Sequence, residues 1–218
     1  MVANRLSLSV KGLGVNNSAI IRDVGLTIAN VLTLGLKNHK IKANVHQAPP
    51  QRVWFEKKAP AVGLYLVGLD CHQYTGERPQ EDLIQEERPD GSIAEYFVDP
   101  PLTLSLEYLM TTWGKDVEEE ALLLGIGMKI MLECPMLEAQ HIVGESFTVH
   151  DRVQIQSETN IPLEKRALIF QGFGEPLRGA AFYKIPVQLF SERRSPEVRR
   201  VITRHIGVTD KQTGRRLR

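Results

Sequence analysis

Residues 61–69 read AVGLYLVGL, nine positions with no charge and with the Tyr65 hydroxyl as their one polar side-chain group. A membrane-crossing helix needs roughly 20 such residues, and no uncharged apolar run in the chain approaches that length. Pro60 closes the run on one side and Asp70 on the other. A short, nearly continuous apolar run is a strand covered on both faces, and a strand covered on both faces sits at the centre of a sheet. The chain therefore has to supply neighbouring strands and covering layers.

Residues 102–113, LTLSLEYLMTTW, fit two periods. Leu102, Leu106, Leu109 and Trp113 match helical spacing, whereas Leu102, Leu104, Leu106, Tyr108 and Met110 alternate. The alternation is the longer pattern and Pro100-Pro101 favours extended chain before it, so the segment reads as a strand. Residues 181–190 alternate as a closing strand, in which Pro186 suits an edge position or a bulge. Shorter strand-like runs fall at 41–47, 52–55, 93–98, 147–149 and 153–156.

Three helices cover the sheet in this reading. In residues 18–37, Ser18 is placed to cap the start, and Ile20, Val24, Ile28, Val31 and Gly35 share a face. Gly25 and Gly35 permit close packing, Lys37 and Lys40 lie near the C-terminal end, and the sparsely charged outer face implies contacts on both sides. Residues 117–132 begin with Asp116 as N-cap and Glu119 at capping-box spacing, with Glu118, Glu119 and Glu120 in the first turn. Val117, Ala121, Leu124, Met128 and Met131 form the expected buried face, and Pro135 follows the end. Residues 162–171 make the third helix, with Pro162 near its first position. The fold class is α/β of the α+β kind: a single mixed, mainly antiparallel sheet packed by about three helices. At 218 residues this is one domain with appendages.

The appendages are an N-terminal arm (1–17) and a C-terminal tail (191–218), with the body at 18–190. In the arm, Leu6, Leu8 and Val10 alternate with polar residues before Gly12 and Gly14. This is either a strand for a sheet edge, its own or a neighbour's, or a disordered terminus. The first residues have no apolar core and no cleavage signature of a secretory signal.

Charge is unevenly placed. The net +1 splits into a tail with nine basic residues against three acids and a remainder with 18 basic against 23 acidic. The tail's arginines are Arg193, Arg194, Arg199, Arg200, Arg204, Arg215, Arg216 and Arg218. Residues 70–92 carry the opposite sign, including Glu81, Asp82, Glu86 and Glu87, in a stretch that reads as a long exposed loop or a hairpin arm. Docking of the tail to an acidic protein surface is the reading favoured over binding nucleic-acid phosphates, because the tail has no aromatic residue for base stacking. A solvated tail is the plain alternative.

No residue pattern points to catalysis, a metal or a cofactor. The six histidines form no HExxH and no cluster with Cys71 or Cys134. Cys71 and His72 are adjacent and point to opposite faces of an extended chain. The GLG, GIG and GFG triplets extend to no phosphate-binding loop, and Ser146 in GESFT lacks the second glycine of a nucleophile elbow. Two cysteines without a paired spacing fit a reducing compartment.

Residues 100–137, PPLTLSLEYLMTTWGKDVEEEALLLGIGMKIMLECPML, resemble the central part of the tail-terminator, or cap, proteins of extracellular contractile injection systems, the family typified by the antifeeding-prophage cap protein. The matching order is Pro100, Pro101, alternating Leu102, Leu104 and Leu106, then Tyr108-Leu109, an acidic helix with Leu123-Leu124-Gly125, and Pro135 with Leu137. The opening SAIIRDVGLTIANVL with GLYLV, and the closing IPLEKRALIFQGFGEPLRGAAFYKIPVQLF, extend the likeness over about 18–190. The 70–92 stretch and the short tail depart from it. The resemblance implies a tail-terminator-like fold and a homo-hexameric ring at the distal end of an inner tube, ending tube growth and anchoring the last sheath layer. It implies inner-tube and sheath proteins as partners, no small-molecule substrate and no membrane insertion. It places the protein in the bacterial cytoplasm during assembly and in the particle afterwards. The sheath or a neighbouring subunit would meet the tail arginines, a basic surface the 77–90 acids, and a subunit edge Leu6, Leu8 and Val10. A phage tail terminator facing a capsid connector is the alternative within the same logic, and a nucleic-acid-binding protein acting through the tail the alternative outside it.

Overall fold

A computed structural model describes residues 17–72, 82–138, 140–147 and 153–198, together with the backbone of 208–209 and 216–217. In chain order the elements are α1 (Ile20–Asn38), β1 (Asn44–Gln47), a 3-10 turn (Arg52–Trp54), β2 (Ala61–His72), β3 (Asp82–Glu87), β4 (Ile93–Val98) and β5 (Leu102–Trp113). There follow α2 (Val117–Glu133), β6 (Met136–Leu137), β7 (Val153–Gln154), β8 (Gln156–Glu158), α3 (Leu163–Gly172), β9 (Ala180–Leu189), β10 (Val208–Thr209) and β11 (Arg216–Leu217). The main sheet has the order β1-β2-β5-β9-β8, parallel at β1/β2 and antiparallel elsewhere. The apolar 61–69 run lies inside it, flanked by β1 and β5.

Alternation decides what each face of the sheet buries. Leu104, Leu106, Tyr108 and Met110 of β5, Val62 and Leu64 of β2, and Tyr183, Ile185 and Val187 of β9 face α1 and α2. The intervening Leu109 and Phe182 face α3, where Phe170 and Ile161 complete a smaller core. An irregularity between Leu66 and Gly68 shifts the β2 register, and Val67 packs into that second core. α1 buries Ile20, Val24, Ile28, Val31, Leu32 and Leu36. It can lie low because Gly25 sits against Gln47 and Tyr108, and Gly35 against Ile130 of α2.

Several expectations are corrected. The 52–55 run is a 3-10 turn: Trp54 and Phe55 donate back to Gln51 and Arg52, which turns Phe55 inward to stack on Trp113. The 41–47 strand starts at Asn44. Ala19, not Ser18, is the N-cap of α1, with no side-chain cap bond. The 153–156 strand is split into β7 and β8 at Ile155, whose N–H donates to Pro135 rather than to β9. β9 is not the sheet's edge strand, since β8 lies outside it, although Pro186 falls just past the positions that β8 pairs. Of the 147–149 strand, Phe147 is unpaired loop and the rest lies outside the described residues.

The buried face of α2 also differs from expectation. Leu123, Gly127, Ile130 and Met131 are buried, while Val117, Ala121 and Met128 point to solvent. The helix is apolar on nearly all sides, so periodicity offers several faces. Packing selects the one where small Gly127 admits Met110 and Ile130 enters the notch at Gly35. The start of α2 is as expected: Asp116 accepts from the Glu119 N–H at 2.8 Å, while the Glu119 carboxylate accepts from the Lys115 N–H at 2.7 Å.

Candidate functional site

Part of the predicted acidic stretch is a strand. β3 and β4 pair as an antiparallel hairpin through the turn at Asp90-Gly91, separate from the main sheet. The root of the C-terminal tail adds to its other edge. Arg194 bridges Val98, the Ser195 N–H donates to Phe97 O at 2.9 Å, the Phe97 N–H donates to Ser195 Oγ at 2.9 Å, and the Val198 N–H donates to Glu95 O at 2.8 Å. Two ion pairs fasten this third strand: Arg194 to Glu86 at 2.7 Å and Arg88 to Glu197 at 2.8 Å. The hydrogen bond to Glu197, then that to Tyr96, holds the Arg88 guanidinium above its ordinary range. The two oppositely charged appendages therefore meet each other within one chain.

A second device fixes the loop after β6. Asp23, fully buried on α1, accepts from the N–H groups of Glu145 and Ser146 at 3.1 Å and from the Ser146 hydroxyl at 2.7 Å. Burial pushes its carboxyl up, but hydrogen bonds from Ser146 and Arg22 outweigh that and leave it below the usual carboxylate range. Gly144, at φ 111°, leaves no room for a Cβ against the Asp23 carboxylate. Thr27 holds Val143 on the next turn of α1.

Asn17 closes the edge of β9. Its amide donates to Gln188 O at 2.9 Å and accepts from the Phe190 N–H at 3.2 Å, as a neighbouring strand would. A shallow groove opens here between Asn17, Ile20, Phe147, Val153 and Val187. At the opposite end of β5, Trp113 is sandwiched between Phe55, stacked at 4.8 Å, and the Arg178 guanidinium, 3.7 Å from the ring centre. Arg178 also reaches both Glu120 oxygens at 2.7 Å, tying the loop after α3 to the first turn of α2. Lys184 lies between Glu107 and Glu158, each at 3.2 Å, and its hydrogen bonds to them raise its pKa.

Among the predicted contact residues, the structure joins Arg194 to Glu86. It leaves Arg193 and Glu87 exposed. Asp82 and Arg216 are placed through their backbones in β3 and β11. Glu81, Arg199, Arg200, Arg204, Arg215, Arg218, Leu6, Leu8 and Val10 lie outside the described residues. Sequence reading missed Asp23, Asn17 and Arg178. Asp23 looks like an ordinary first-turn acid beside Arg22, and Ser146, Gln188 and Glu120, which the three residues hold, lie 58 or more positions away from them. Among the described residues no three His, Cys, Asp or Glu side chains converge as metal ligands, and no helix is long and apolar enough to cross a membrane.

Comparisons place this geometry among known proteins. The family model for the Pvc16 N-terminal domain matches residues 23–204. The sheath/tube terminator of PVC, an extracellular contractile injection system, in its extended state, superposes with a TM-score of 0.64 at 12% identity, over 88% of this chain and 64% of its own. The tube-terminating cap of the anti-feeding prophage superposes with a TM-score of 0.63 at 11% identity, over 87% of this chain and 62% of its own. The chain thus spans a little under two thirds of each of these structures. No curated protein sequence matches it.

Proposed function

The chain belongs to the Pvc16 N-terminal domain family, and from that premise we propose that it is a structural cap of a contractile, phage-tail-like injection particle. It ends the inner tube at the distal end and anchors the last sheath layer. The observation that carries this reading is the family match across 23–204, on a fold shared with two chains that terminate tubes.

The physical logic is one of symmetry. A tube grows because each subunit layer presents a heterologous surface that accepts the next. A terminator matches that surface on one side and offers no copy of it on the other, and a closed ring does this around the whole circumference. The ring is a homo-hexamer in this reading, its partners are inner-tube and sheath proteins, and its role is structural rather than catalytic. It forms in the bacterial cytoplasm and then travels with the particle.

Within that reading the contact residues divide. Residues 191–198 complete the β3–β4 arm, so Arg194 and Glu86 shape a surface rather than reach from it. Arg193, Arg199, Arg200, Arg204, Arg215, Arg216 and Arg218 are the cations proposed to meet the sheath or a neighbouring subunit. Glu81, Asp82 and Glu87 face a basic partner, and Leu6, Leu8 and Val10 supply a strand to a subunit edge. Deleting 199–218, which spares the arm, is expected to weaken sheath retention most at low salt, the difference from the intact chain shrinking as salt rises and screens the tail's charges. Added to polymerising tube protein, the intact chain is expected to shorten the tubes and sit as a ring at one end. Tubes of unchanged length with bare ends overturn the cap reading.

A further inference from the structure

The outward side of α2 is apolar along its length. Val117 is 82% exposed, Leu132 76% and Met128 49%. Ala121 and Gly125 lie between them, and nothing stands within 4 Å of where a Gly125 side chain would begin. At 3.6 residues per turn, positions 117, 121, 125, 128 and 132 form one stripe, opposite the buried Leu123, Gly127 and Ile130. Soluble chains rarely leave a continuous apolar stripe uncovered.

The order of side chains along the stripe indicates what covers it. Reversed about its middle, the sequence opposes itself well. Val117 falls against Leu132, Ala121 against Met128, and Gly125 against Gly125, where two glycines let the helices approach closely. The charges agree. Glu118 and Lys129 lie on the same flank of the stripe, and in a reversed copy each faces the other's counterpart, twice over. Lys129 is held here by an exposed pair with Glu133 at 3.7 Å, which exchanges at little cost.

We propose that the outward face of α2 docks a second copy of this chain, α2 against α2, antiparallel about a two-fold axis at Gly125. An isologous contact of this kind cannot be repeated around a single rotation axis, so it pairs free subunits and does not build a ring. It shields the stripe before assembly. The inference goes beyond the cap reading and does not depend on it. One helix pair buries less than a typical stable interface, so the dimer has a dissociation constant on the order of micromolar.

Analytical ultracentrifugation of the full chain across a concentration series tests it. The expected result is a monomer–dimer equilibrium, weakened about tenfold or more by Met128→Glu. Glu118→Lys and Lys129→Glu each weaken it, and the double variant restores it. Gly125→Cys, in a C71S/C134S background, is expected to oxidise to a disulfide-linked dimer. All the altered α2 positions are exposed, and circular dichroism checks each fold. Should Met128→Glu fail to fold, the charge-reversal set decides alone. A wild-type chain that stays monomeric, a dimer or higher oligomer insensitive to these changes, or a dimer that does not cross-link at position 125 overturns the proposal.

Discussion

Asp23 shows how much one side chain can decide. Its carboxylate satisfies two backbone N–H groups and a hydroxyl of the 144–146 loop while itself fully buried. Asp23→Ala leaves those donors without partners and is expected to cost about 2–3 kcal/mol, read as a lower urea midpoint. The pH dependence has a definite sign. The unfolded chain takes up the proton near pH 3.8 and the folded chain at lower pH, so this stabilisation is complete above 3.8 and is lost as pH falls below it. His46 acts in a different window. Burial, then the charge of Lys58, lowers its pKa below 6.5, and its buried Nε2 has no partner among the described residues. The unfolded chain therefore protonates first, and stability falls as pH drops through 6.5. Thermal melts between pH 7.5 and 5 should show a decline that His46→Gln removes. Gly144→Ala, at φ 111° and facing Asp23, should destabilise by about 1 kcal/mol or more, measured in the same urea series. The Asp23 contacts with the 144–146 loop were not legible in the sequence, because Glu145 and Ser146 lie more than a hundred positions away.

At the scale of elements, the strands were legible where alternation was long. β5 and β9 lie where their alternation puts them, because period two admits one buried face, and β2 lies where its continuous apolar run demands cover on both sides. α2 failed that test: a helix apolar on nearly all sides has no single preferred face in its sequence, and the choice belongs to Gly35, Ile130, Gly127 and Met110 in contact. Gly35→Val should force α1 and α2 apart and cost about 1–3 kcal/mol in chemical denaturation. The short run at 52–55 failed for another reason, since Phe55 is drawn inward by Trp113 whatever its local preference. The charged arm was half legible. Opposite charges were visible, but their mutual pairing needed the β4 edge to bring Glu86 and Arg194 together. Both pairs are partly exposed, so Arg194→Glu should change global stability by less than about 1 kcal/mol. It should nevertheless speed hydrogen exchange at the Ser195 and Val198 amides, and unchanged protection there would show that the ladder alone holds the strand.

The whole molecule is a helix-packed, mainly antiparallel sheet, and the order of its elements along the sequence resembles the tail-terminator pattern. That order is recoverable because it depends on which segments are apolar and with what period. The surfaces an assembly would use depend instead on exposure, which a sequence does not display. The proposal under test is that this chain ends a tube. Electron microscopy of particle lengths, from producing cells with and without the gene, tests it most directly. Over-long, heterogeneous or sheath-shedding tubes are expected without the gene, and a fixed length when it is restored. Particles of normal length with intact ends in its absence would contradict it.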